Sequence, residues 1–146
     1  MVNVGIPERL PAARKPLIAA ASQGQVLRKV TLDGHSFAGL NLKKTQFIRS
    51  FLRRVDFSGA DLSGGSFFKS ILTEANLAGA ILKGADLRGA FFRGANLGGA
   101  DLTGALLHEV NLYGARFFIN GQETVYDETT APAIRDYLTK TFAVTF

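Results

Sequence analysis

The chain contains no cysteine, no tryptophan, one methionine and two histidines among its 146 residues. Without cysteine it forms no disulfide and no thiolate metal site, so nothing ties it to an oxidising compartment and a cytoplasmic location is expected. His35 and His108 stand far apart, with no second histidine or cysteine at metal-ligand spacing, and are read as structural or solvated. Neither a G-x-S-x-G elbow nor a G-x-x-x-x-G-K-[ST] loop occurs. The expectation is therefore a non-enzymatic protein with no catalytic, cofactor-binding or metal-binding residues. Long hydrophobic runs are also missing. Leu17 to Ala21, behind Pro16, is too short for a secretory signal, and nothing approaches the roughly 20 apolar residues of a membrane span. Acidic residues are in the minority, 12 against 17 Lys and Arg, which leaves a net charge of +5.

What the chain does have is glycine, 16 of them, and a period of five. From Leu32 to Phe117 every fifth residue is Leu or Phe. A helix would repeat its apolar positions at three and four residues and a strand at two, so a strict five excludes both as the underlying unit. Two residues before most centres stands a small residue, such as Val30, Val55, Ala60, Gly65, Ser70 and Ala75. Two residues after many stands glycine, which permits the positive φ of a tight turn. Each pentapeptide thus reads as a short extended piece followed by a corner.

The clearest stretch runs Ala75-Asn76-Leu77-Ala78-Gly79, Ala80-Ile81-Leu82-Lys83-Gly84 and Ala85-Asp86-Leu87-Arg88-Gly89, and resumes from Ala95 to Gly104. It resembles the pentapeptide-repeat family, whose pattern is A(D/N)LXX. That resemblance implies an all-β fold, a right-handed quadrilateral parallel β-helix of about 4–5 coils with short helical caps at one or both ends. Stacked at about 4.8 Å per coil, the rod would be only about 20 Å long. The corresponding division is an N-terminal arm and capping helix over 1–28, the repeat over 29–119 and a helical or strand-like tail over 120–146.

Open solenoid ends expose unpaired backbone and need lids. Leu17 to Gln23 reads as a short helix that Gly24 stops, and Leu27 already lies five residues before Leu32. In the tail, Thr129 or Thr130 can begin a helix with Pro132 in its first turn and Ile134, Tyr137, Leu138 and Phe142 on one face. That face either caps the chain's own core or joins two chains as a homodimer, an arrangement the family resemblance also allows.

With four pentapeptides to a coil, residues twenty apart lie above one another. The position before the centre then gives an outward column Thr31, Phe51, Ile71, Phe91, Asn111, and the position after the preceding centre gives Ile48, Phe68, Arg88, His108. Ile48, Phe51, Phe68, Ile71 and Phe91 form an apolar strip where the family pattern places polar groups. Arg49, Arg53, Arg54, Lys69, Arg88 and Arg93 surround it, the composition of a protein interface. Its alternative is cover by the chain's own ends. Asp56, Asp61, Asp86 and Asp101 precede their centres and read as corner hydrogen-bonding groups.

The functional expectation is a protein-interaction scaffold with Phe51, Ile71 and Phe91 as anchors, Ile48 and Phe68 as flanking contacts, and Arg53, Arg88 and Arg93 selecting an acidic partner or a second copy. The resemblance also implies a second possibility, a rod that mimics duplex DNA and binds a topoisomerase such as gyrase, protecting it from quinolones or toxins. That role calls for an acidic rod, and this one is basic and short. Direct binding of nucleic acid or an anionic surface is a third, but the charge excess is modest.

Overall fold

The computed structural model describes residues 24–146. The helix expected over Leu17–Gln23 lies outside the described residues. From Thr31↔Phe51 to Asn96↔Arg116, consecutive coils are joined on each face by parallel bridges between residues twenty apart, so four pentapeptides complete one circuit. The backbone explains why the period is five. Each central N–H donates to a carbonyl in the next coil, as Leu32 does to Phe51 at 2.8 Å, and the preceding N–H donates to the coil below, as Phe51 does to Val30 at 2.8 Å. The central carbonyl then accepts from the residue three further on, as Leu32 does from His35 at 3.1 Å. This closes a β-turn whose third residue has positive φ.

Pairing starts earlier than the sequence division placed it. Strand β1 (Val26–Arg28) pairs in parallel with β2 (Gln46–Ile48), which brings Leu27 into register with Phe47. The first coil therefore begins inside the segment read as the N-terminal arm, because Leu27 fits the same buried column as every later centre. All centres from Leu27 to Phe117 are buried.

Counting the faces by their centres, the first begins at Leu27, the second at Leu32, the third at Phe37 and the fourth at Leu42; from Phe37 to Phe67, Phe occupies the first and third faces and Leu the second and fourth. Phe37 stacks on Phe57 at 5.5 Å and Phe47 on Phe67 at 5.4 Å, each pair 19° from parallel, and rings of the two stacks meet at steep angles across the core. Three polar side chains, Thr45, Ser50 and Ser70, are buried with them. The Ser70 hydroxyl accepts from the Ser50 N–H at 2.9 Å and donates to the Phe47 carbonyl at 2.6 Å, bridging the turn between those two residues. Ser70→Ala would leave both groups unpaired in the core, and a loss of about 1–3 kcal/mol in denaturant unfolding is expected.

The C-terminal end is more elaborate than the expected helix and strand. β3 (Arg116–Ile119) leaves the coil and turns back antiparallel into β4 (Gln122–Val125). Asn120 and Gly121, at φ 51° and 81°, supply the two left-handed residues of that hairpin turn. Helix α1 (Ala131–Phe142) follows, with Pro132 in its first turn. Thr130 occupies the N-cap position but makes no capping bond with its side chain. The Asp127 carboxylate instead accepts from the N–H groups of Thr129 and Thr130, at 2.8 and 2.9 Å, and from the Thr129 hydroxyl. These bonds, the Thr129 hydroxyl first, lower the Asp127 pKa from 3.8 to about 2. A depressed carboxylate pKa contributes stability that is complete above pH 4 and lost as pH falls towards 2. Asp127→Asn should flatten that part of the acid-unfolding curve, as followed by helical circular dichroism.

Ile134 and Leu138 are buried with the core, and Tyr137 and Phe142 pack partly buried against it. The tail also supplies carbonyls where the next coil is missing: Gly104 N–H donates to Phe142 at 2.7 Å and Leu107 N–H to Thr145 at 2.6 Å. The closing Phe142–Phe146 segment, expected as a short strand, makes one isolated parallel bridge, Leu106↔Thr145.

Candidate binding surface

The corner between the first and second faces differs from the others in sequence while keeping their backbone. At the corner after the third face, Gly39, Gly59, Gly79 and Gly99 have φ of 64–68°. At the first corner the same conformation is taken by Lys29, Arg49 and Lys69, at 51–53°, then by Gly89 at 65° and by Glu109 at 57° above them. Left-handed backbone costs a residue with a Cβ about 1–2 kcal/mol, so three stacked cations are held there against local preference. Arg54, next to this corner on the following one, is held in the same way at 54°, as are Glu74 above it at 58° and Lys44 on the fourth corner at 60°.

Beside this corner lie the two expected columns. Bridges Thr31↔Phe51, Phe51↔Ile71, Ile71↔Phe91 and Phe91↔Asn111 define one. Carbonyl acceptors Ile48, Phe68, Arg88 and His108 define the other. Phe51 and Phe91 are 40% and 47% exposed; Ile48, Phe68 and Ile71 are half-buried, so they present edges rather than whole side chains. A cleft of about 310 Å³ runs between Arg28, Lys29, Ile48, Arg49 and Phe68. The Lys69 ammonium sits 5.3 Å from the centre of the Phe68 ring and the Arg88 guanidinium 5.6 Å from it, while Arg53 covers Phe51 at 5.7 Å.

Two of the three expected partner-selecting charges are already engaged. Arg53 forms an ion pair with Asp33 at 2.8 Å, and Arg88 forks onto both oxygens of Asp86 at 2.8 and 2.9 Å. That hydrogen bonding holds the Asp86 carboxyl below its usual range against the opposing effect of burial. Their charge is compensated within the chain, because an aspartate lies one coil below Arg53 and two residues before Arg88. Arg93 is exposed and has no ion pair among the described residues, as is true of Arg28, Lys29, Arg49, Arg54 and Lys69. Sequence reading missed Arg28 and Lys29; the signal for Lys29 was a basic residue standing where the repeat favours glycine, and Arg28 stands in the column of Ile48 and Phe68. It also missed Tyr113 and Phe118, 53% and 56% exposed near the hairpin.

The remaining candidates fall outside this surface. Asp56, Asp61, Asp86 and Asp101 each accept the N–H two residues on, at 3.0–3.1 Å, the corner role expected of them. His35, two residues before its centre where the small residues of other pentapeptides are mostly buried, is half-exposed with Nδ1 donating to the Leu32 carbonyl at 3.0 Å, because its ring turns back along its own corner; His108 is exposed. No helix among the described residues is long and apolar enough to cross a membrane.

The family model for pentapeptide repeats matches in overlapping segments that together run from residue 26 to 118. The chain belongs to the pentapeptide-repeat family. Its solenoid is accordingly of the right-handed β-helix type. HetL, a pentapeptide-repeat protein involved in heterocyst differentiation regulation from the cyanobacterium Nostoc sp. strain PCC 7120, is 27% identical, with a TM-score of 0.56 over 70% of this chain and 52% of that one. This pentapeptide-repeat chain thus spans about half the length of HetL. A second Nostoc pentapeptide-repeat protein is 23% identical, with a TM-score of 0.60 over 75% of this chain and 99% of its own, and shares the fold. A pentapeptide-repeat protein of the Arabidopsis thaliana thylakoid lumen is 36% identical over 75% of this chain and 74% of its own, with a TM-score of 0.43. No curated protein matches this chain significantly.

Proposed function

We propose that this pentapeptide-repeat protein is a non-enzymatic scaffold that binds another protein through Ile48, Phe51, Phe68, Ile71 and Phe91 and the basic groups beside them. The observation that carries this reading is the pair of exposed rings, Phe51 and Phe91, in a column whose counterpart on the third face is Ser36, Asp56, Asn76 and Asn96. Exposing rings on one face where the neighbouring face is polar is the pattern of an interaction patch. A regulatory role of the kind named for HetL fits a binding protein of this type. The tail, with Ile134 and Leu138 inside and Tyr137 and Phe142 at the edge, serves as a lid for a rod of four to five coils. A homodimer through the same tail would have to use Tyr137, Phe142 and the exposed Phe118. The reading places the protein in the cytoplasm, a compartment that a cysteine-free sequence allows. A DNA mimic for a topoisomerase calls for an acidic surface, and the exposed corner is cationic; for nucleic acid, the rings of Phe51 and Phe68 are engaged by Arg53, Lys69 and Arg88, which leaves Phe91 alone to stack on a base.

Capture from source-cell lysate with the wild type and with Phe51→Asp/Phe91→Asp, read by mass spectrometry, tests the proposal. Both proteins should melt alike, since both sites are exposed and substitutions there cost about 0.5 kcal/mol or less. A partner retained by the wild type alone is the expected result. Equal capture by both proteins would remove the strip from the account.

A further inference from the structure

We infer that the partner presents an acidic, amphipathic α-helix laid along the rod axis, its carboxylates over the corner formed by Lys29, Arg49 and Lys69 and its apolar residues over Ile48 and Phe68. This rests on the scaffold reading and specifies its partner. Three observations support it. The cations occupy left-handed positions that glycine fills at the corner after the third face, and an outlier kept against local preference points to a role. They also make no ion pair among the described residues, although Glu109 stands two coils above Lys69 in the same column and Glu74 one coil above Arg54. The nearby carboxylates of Asp33 and Asp86 are taken by Arg53 and Arg88, and those of Asp61 and Asp101 on another face by Lys43 and Lys83. Arg28, Lys29, Arg49, Arg54 and Lys69 have no ion pair among the described residues. Like charges stacked in neighbouring coils repel, and an anionic partner relieves that repulsion.

The third observation is spacing. Coils stack at about 4.8 Å, so the bases of the three basic side chains climb the rod in steps of that size. An α-helix rises 1.5 Å per residue, which sets residues three and four apart about 4.5–6 Å from one another along its axis. An extended peptide repeats its same-face side chains only every 6.6–6.8 Å or so. Helical carboxylates at i, i+3 and i+7 therefore stay in step with Lys29, Arg49 and Lys69. The cleft beside them has an apolar floor at Ile48 and Phe68, with Lys69 lying against the Phe68 ring. A helix whose neighbouring stripe is Leu or Phe meets cation and ring together. Bare phosphate chains or lipid headgroups have nothing to place on that floor.

The test uses the full chain and a fluorescein-labelled, hydrocarbon-stapled 18-residue peptide, with Glu at i, i+3 and i+7 and Leu on the adjoining stripe. Fluorescence anisotropy compares it with a stapled peptide of the same composition whose Glu and Leu are scattered around the helix, with labelled dT20, and with phosphatidylserine vesicles. The patterned peptide should bind at least tenfold more tightly than the scattered one and more tightly than dT20 or vesicles. Arg49→Glu/Lys69→Glu, and the milder Arg49→Gln/Lys69→Gln, should each lose at least tenfold with an unchanged melt. Equal binding of the two peptides, preference for dT20 or vesicles, or indifference of folded charge variants would overturn the inference. Should the lysate partner still depend on Phe51 and Phe91 in that event, the scaffold reading stands and only the helical partner is lost; if both experiments fail, both readings fall.

Discussion

Leu87→Asp is expected to abolish the cooperative thermal transition and the β-type circular dichroism of the folded protein. Leu87 is 1% exposed, at a central position with coils above and below. No basic side chain is buried among the described residues to pair with a carboxylate there, and burying an unpaired charge costs several kcal/mol even after the group protonates. The lost Leu contributes a further 2–3 kcal/mol or so of burial. Against a domain stability of about 5–15 kcal/mol, the sum leaves little folded protein at 37 °C. Phe91→Asp, four residues along the same coil but 47% exposed, should melt within a few degrees of the wild type. The pair checks the register of the repeat itself. A folded Leu87→Asp or an unfolded Phe91→Asp would mean that inside and outside are exchanged.

Phe57→Ala should be the most damaging of the conservative core truncations, at about 3–5 kcal/mol. Phe57 is fully buried and its ring meets three others, Phe37 at 5.5 Å and Phe47 and Phe67 at 5.7 Å. Removing it opens a cavity between two stacks that the neighbouring coils, hydrogen-bonded above and below, cannot close. Leu77→Ala, at the same column one coil higher, removes fewer atoms and no ring contact, and should cost less, about 2–4 kcal/mol. Urea unfolding of the two variants measures the difference. Equal losses would show that the aromatic stack adds nothing beyond buried area.

The fold was legible because its cause is local and repeated. A Leu or Phe at every fifth residue can be buried only if the chain turns a corner in each pentapeptide, and four corners return it above itself. The same arithmetic placed Phe51, Ile71 and Phe91 in one column. What it could not supply was the state of the charges. Arg53 and Arg88 were as basic in sequence as Arg49 and Lys69; that Asp33 and Asp86 lie within 2.8 Å of the first two depends on side-chain paths across and within coils. At the C-terminus the turn signal was present and passed over. Asn120-Gly121 is a strong hairpin pair, but Phe117 and Phe118 continued the five-residue rhythm and hid the change of direction. Asp127 in the helix entry was likewise overlooked because Thr129 and Thr130 have the composition of a cap.

The central claim, that the strip is bare in the isolated chain and available to a partner, is tested most directly by hydroxyl-radical footprinting of the full-length protein. Side-chain oxidation, read by mass spectrometry, should modify Phe51 and Phe91 at rates within about twofold of Tyr113 and Phe118, whose exposure is similar, and far above buried Phe57. Oxidation of Phe51 and Phe91 as slow as that of Phe57, at every protein concentration tried, would show the strip to be covered by the chain itself and contradict the account.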